Sequence, residues 1–157
     1  MMKKTAAWLA CSALLCLTVL ATAQTPLPQT PQMPQMPQTN AATFHGLGGK
    51  PGIKRIVGTL IPLVLADPRI KESFTDIDMK HLALRLEEQF CVLSGGPCTY
   101  GGKDMVVIHD GLNITRAQFN ALTEDLQVAM ERVGVPARYQ NKLVARLAPM
   151  QRGIVTK

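Results

Sequence analysis

Apolar residues return every three or four positions along this chain, in stretches cut each time by glycine or proline, and nowhere with the two-residue period of a strand. The run Ile53, Ile56, Val57, Leu60, Ile61, Val64, Leu65 follows the turn Gly48-Gly49-Lys50-Pro51-Gly52 and stops at Asp67-Pro68. Pro62 lies inside it, where it removes one backbone hydrogen bond and is expected to kink the helix. A second stripe, Met79, Leu82, Leu86, Phe90 and Leu93, opens after Asp76 to Asp78 and stops at Ser94-Gly95-Gly96-Pro97. A short piece from Asp104 to about Leu112 carries Met105, Ile108 and Leu112. Thr115 then caps a longer helix with Phe119, Leu122, Leu126, Ala129 and Val133 on one face, ended by Gly134. The last helix starts at Pro136 and carries Tyr139, Leu143, Leu147, Met150 and Ile154. The fold class is all-α.

The 157 residues do not all belong to these helices. Lys3-Lys4, the apolar run Ala6 to Leu20 and the ending Ala21-Thr22-Ala23 stand in the order of a secretory signal. Residues 1–23 are therefore read as a signal peptide and the protein as exported, to a periplasm or beyond. The alternative is a retained anchor, for which about fifteen apolar residues are few. Neither Cys11 nor Cys16 follows the small residues a lipoprotein signal needs. Residues 24–43 are mostly Pro, Gln, Thr and Met without a charge, and are read as an extended unfolded linker. Met33 and Met36 offer soft sulfur to copper(I), but with no His or Cys nearby the linker reading is the stronger. Residues 44–157 form one domain, long enough for a single core.

The formal charge of +6, less Lys3 and Lys4, leaves +4 on the mature chain. Cations occur in every segment rather than in a cluster, aromatic interleaving is sparse and no glycine-rich phosphate loop is present, so nucleic acid is not an expected partner. Cys91 and Cys98, with six residues between them in an exported chain, point to a disulfide. So small a loop contributes only about 2–3 kcal/mol on the chain-entropy account. Zinc is disfavoured, since no second Cys or His pair stands at finger spacing.

His109 sits among apolar residues on the shortest helical piece. It is either a core histidine satisfied by a backbone carbonyl, or one nitrogen ligand offered to a flat metal cofactor. The order of the motifs resembles the truncated (two-over-two) globins of group I. The resemblance rests on Gly48-Gly49 before the first long helix, Leu65-Ala66-Asp67-Pro68 with the following Phe74, and Gly95-Gly96-Pro97 before Tyr100 and Gly101. Met105, His109, Gly111, Leu112, Ile114 and Thr115 match the short proximal helix, and Gly134-Val135-Pro136 the turn into the final helix.

The resemblance implies a noncovalent haem b with His109 as iron ligand, since no Cys-x-x-Cys-His attachment motif is present. It also implies pocket walls from Phe74, Leu82, Leu86, Phe90, Met105, Ile108, Phe119 and Leu147, with Arg85, Tyr100 and Lys103 as candidates for the propionates. Group I members often carry a distal Tyr and Gln, but the corresponding register here holds Ile61, Leu82 and Leu86, so no strong donor is expected there. His81 is a candidate sixth ligand, set against a plain exposed histidine, and His45 is expected to face water. Glu87-Glu88 read as a solvated face. The implied function is binding or transport of dioxygen or another diatomic gas, with an electron-donating reductase as a partner. The alternatives are a haem enzyme or sensor handling NO or peroxide, and a haem-free helical module of the envelope.

Overall fold

Five residues at helical spacing, Ile53, Ile56, Val57, Leu60 and Val64, are at most 4% exposed, and the helix that carries them is the centre of the core. The coordinates are a computed structural model and describe residues 41–157. The signal, the linker as far as residue 40, Met33, Met36, Cys11 and Cys16 lie outside the described residues. Within them the elements are α1 (Ala42–Gly46), α2 (Gly49–Ala66), a 3-10 turn (Lys71–Phe74), α3 (Met79–Leu93), α4 (Met105–His109), α5 (Arg116–Arg132), α6 (Ala137–Leu147), a second 3-10 turn (Ala148–Met150) and α7 (Gln151–Ile154). All described secondary structure is helical, as the spacing predicts.

α2 packs chiefly against α5 and α3, and α6 closes on both of these. Leu126, Ala129 and Met130 of α5, Phe90 and Leu93 of α3 and Leu143 of α6 complete the buried cluster. α1 starts at Ala42, two residues inside the segment read as linker, because Thr43 and Phe44 are buried and the Phe44 N–H donates to the Ser94 carbonyl at 3.0 Å.

Local chemistry explains the boundaries. α2 begins four residues earlier than its apolar stripe, capped by Gly48 in the left-handed region at φ 87°. Pro51 is tolerated because first-turn N–H groups lack helical partners anyway. Pro62 does not interrupt α2, which ends at Asp67 as expected. The Asp78 carboxylate caps α3 by accepting from the Lys80 and His81 N–H groups. Thr115 and Gln118 form a reciprocal capping box at α5. The final helix is not continuous as expected: Pro149 has no N–H for the α-ladder, so the chain tightens to a 3-10 turn before α7.

Asp125 of α5 is 9% exposed and its Oδ2 has no hydrogen-bond partner. Burial pushes its carboxyl above the ordinary 3.8, helped by the negative charges of Asp67 and Glu124 and opposed by Arg69. A carboxyl whose folded-state pKa is raised destabilises the fold once pH climbs above its unfolded value. Asp125→Asn should therefore stabilise the protein at pH 7, and the gain should vanish as pH falls below the ordinary carboxylate range; urea titrations at both pH values measure it.

A Cβ at Gly52 would lie 2.0 Å from the Leu47 carbonyl oxygen, whereas one at Gly58 meets nothing within 4 Å. Gly52→Ala should cost about 3 kcal/mol or more, and Gly58→Ala should stabilise by about 0.5–1 kcal/mol through helix propensity. Denaturant midpoints of the two variants give the comparison; equal effects would contradict the close approach.

Candidate functional site

α4 has five residues, too few to be stable alone, and its first turn is held by Asp104, whose side chain accepts from the Val106 N–H at 2.8 Å. One turn later the His109 Nδ1 lies 2.7 Å from the Met105 carbonyl oxygen. A carbonyl only accepts, so Nδ1 carries the proton and Nε2 keeps its lone pair. Among the described residues no cluster of three His, Cys, Asp or Glu side chains stands together. A metal held by His109 must therefore bring its other ligands with it, as a porphyrin does. The half-buried ring and its oriented free nitrogen fit a haem.

The expected wall residues separate into two sets. Ile61, Phe74, Leu86 and Leu147 are partly buried and pack on the main core. Leu82, Met105 and Phe119 are half-buried and Ile108 is 41% exposed on α4. Such incompletely covered apolar side chains suit a flat apolar group. Phe90 is placed differently from its expected role: it is 2% exposed, inside the core rather than on a wall, because the C-terminal half of α3 is the half that is buried in the core cluster. Phe119 lines a cavity of about 160 Å³ with Asn120, Thr123, Val144, Ala148 and Gln151, between α5 and the α6 end.

The polar candidates also shift. Arg85 is neither solvated nor free: its Nη1 bonds Glu88 Oε2 at 2.7 Å, both side chains are 24% exposed, and its Nε is buried without a partner. The same Glu88 oxygen accepts the Gly101 N–H at 2.9 Å, so Glu88 is a structural tie rather than part of a solvated face. Tyr100 packs over Gly102, where a Cβ would fall 2.2 Å from its hydroxyl, and burial raises its pKa. Lys103 is exposed. His81 is exposed, sharing its side of α3 with Leu84 rather than with Leu82 and Leu86, and His45 is exposed as expected.

Gln89 is a site residue that sequence reasoning missed. It is 6% exposed, and its Nε2 lies 3.2 Å from Met105 Sδ and 3.8 Å from Met150 Sδ. It therefore ties α3 to the residue whose carbonyl orients His109. Its signal was available as a polar residue in register with Leu82, Leu86 and Leu93. The loop after α3 is tied twice more: Cys91 and Cys98 are joined with Cα atoms 5.9 Å apart, and the Gly96 N–H donates to the Cys91 carbonyl at 2.8 Å.

Comparison with known proteins points the same way. A family model described as bacterial-like globin matches residues 42–156. The chain is 36% identical over 92 residues to a group 1 truncated hemoglobin of Tetrahymena thermophila, covering 59% of this chain and 76% of that protein. It is 29% identical over 116 residues to group 1 truncated hemoglobin GlbN of Mycolicibacterium paratuberculosis, covering 74% and 85%. The crystal structure of truncated hemoglobin from Tetrahymena pyriformis in the Fe(III) form matches with a TM-score of 0.71 at 30% identity, covering 73% of this chain and 98% of that one.

Removing Glu88 leaves a mostly buried guanidinium without its anion and frees the Gly101 N–H. Glu88→Ala should cost about 1–3 kcal/mol, between the exposed and buried limits for breaking an ion pair. Glu87→Ala should stay within about 0.5 kcal/mol. Denaturant unfolding distinguishes them, with limited proteolysis of the loop before α4 as a second readout; equal losses would contradict the tie.

Proposed function

The chain belongs to the bacterial-like globin family, whose cofactor is haem b, and from that premise we propose that it binds a diatomic gas reversibly at iron ligated by His109. The single observation that carries this reading is the 2.7 Å bond from His109 Nδ1 to the Met105 carbonyl, which orients the ring and leaves Nε2 for the metal. Haem, when bound, supplies the iron at which a gas binds. The protein's part is to hold one imidazole rigidly and to surround the group with apolar side chains, Leu82, Leu86, Met105 and Ile108 among them.

On this reading Ile61, Leu82 and Leu86 face the gas, and none of them donates a hydrogen bond. Dioxygen, the more polarised ligand, loses the most from that. One good donor in a dry site stabilises it by about 1–3 kcal/mol, so its absence speeds release by about tenfold or more. Carbon monoxide and NO suffer less. Transport or delivery of dioxygen with fast release is the favoured role. Efficient NO dioxygenation, which needs a long-lived oxygenated form, is disfavoured.

Export to an oxidising compartment belongs to the same proposal, and the Cys91–Cys98 bridge supports it. A ferrous protein there needs an electron donor, which makes a reductase the expected partner.

The test is spectroscopic. Purified protein should show a Soret band, and His109→Ala should shift or abolish it; an unchanged band in that variant would sink the ligand assignment. Ile61→Tyr should slow dioxygen dissociation by about tenfold in stopped flow and change carbon monoxide release less. A low-spin ferrous spectrum lost in His81→Ala would replace the apolar wall with a six-coordinate site.

A further inference from the structure

All eleven carboxylates of the chain lie between Asp67 and Glu131; residues 1–66 and 132–157 hold none. The cations, read along the sequence, look evenly spread, but the acids that would neutralise them are confined to the middle. The fold then brings acid-free segments together around α1. Phe44 of α1 bonds Ser94, and Gly46 sits against the Tyr139 ring, where a Cβ would fall 2.4 Å from the ring carbons. The segments met there, 42–60, 89–103 and 132–147, hold no carboxylate of their own, and Glu88, which accepts the Gly101 N–H, is engaged by Arg85.

Five exposed cations of α2 and α6 stand on this pole: Lys50, Lys54, Arg55, Arg138 and Lys142. Arg138 lies 4.7 Å and Lys142 6.0 Å from the centre of the Tyr139 ring. The Arg55 guanidinium reaches within 3.4 Å of where a Gly48 Cβ would be. Lys50 and Lys54 share one stripe of α2, one turn apart.

We propose that this pole docks the protein on an anionic phospholipid surface. Charge complementarity argues for an anion. The absence of exposed large apolar side chains from α1, the first half of α2 and α6 argues for headgroups over a protein, since a protein interface needs an apolar centre. The exposed large apolar residues lie instead on the last turn of α2, before and within α3, on α4 and its following turn, and on α5. The chain also enters the domain at this pole, through Ala41, after a stretch from Thr5 to Gly49 whose only ionisable side chain near neutrality is His45. This inference stands independently of which gas is bound.

The haem-loaded full-length chain is mixed with sedimenting vesicles of phosphatidylcholine alone, or with roughly one third phosphatidylglycerol. Neutral vesicles set the baseline for any insertion of residues 1–23. Binding should rise on the anionic vesicles and fall back in about 0.5 M salt, where screening is short-ranged. Each cation near such a surface contributes roughly fivefold, so the pair Arg138→Glu and Lys142→Glu should lower partitioning by more than about tenfold. The pair Lys80→Glu and Arg116→Glu changes net charge equally within the acid-bearing middle and should retain most of it. Soret spectra and thermal midpoints confirm folding of both. Equal loss in the two variants, no anion-dependent binding, or binding to polyglutamate without binding to vesicles would each overturn the proposal.

Discussion

The hydrogen bond between His109 and the Met105 carbonyl is the contact on which the functional geometry depends. A helix of five residues has no cooperativity of its own, so this bond aims the imidazole only if α4 is held from outside. Asp104 fixes its first turn, Gln89 touches the Met105 thioether, and Gly153 of α7 makes room for Val106, where a Cβ would fall 2.6 Å from a Val106 methyl. The Thr156 N–H reaches the Ile114 carbonyl at 3.0 Å and closes the far side. The ligand is thus positioned by elements that precede and follow it in the chain, α3 and α7, although it stands on the least self-sufficient element.

Helix α3 performs two tasks with one amphipathic stripe. Its C-terminal half, Phe90, Cys91 and Leu93, is sealed against the core, while Leu82 and Leu86 in its first half stay only half-buried. An apolar side chain left partly uncovered forgoes some of its burial free energy. Such a wall persists because α2, with five nearly fully buried residues, stabilises the domain independently of the cleft. The division also explains why Phe90 is a poor wall residue despite its favourable spacing.

Much of this was legible in the sequence because it is local. Periodicity and Gly or Pro punctuation placed the long helices, Thr115 marked its cap, and the motif order located His109. What escaped depends on partners far along the chain or on small backbone effects. Gln89 meets sulfurs at positions 105 and 150, Glu88 meets the Gly101 backbone, and Asp125 is buried beside Asp67 and Arg69. None of these contacts has a spacing rule. Pro149 was legible in principle, but the apolar period across Leu147, Met150 and Ile154 outweighed it.

The link from α3 to α4 joins the two walls of the proposed cleft, so its stiffness sets their separation. It is held covalently at Cys91–Cys98, ionically through Arg85–Glu88–Gly101, and by backbone bonds at Ser94 and Gly96. Half-buried apolar walls attract one another without direction, and alone they tend to close. Fixed-length ties near both ends of the loop oppose that closure while adding little polar surface to the cleft. Arg85 is therefore worth more as the inner partner of Glu88 than as a loose cation at the rim: its orphaned Nε–H is the cost of a brace that a solvated arginine could not provide.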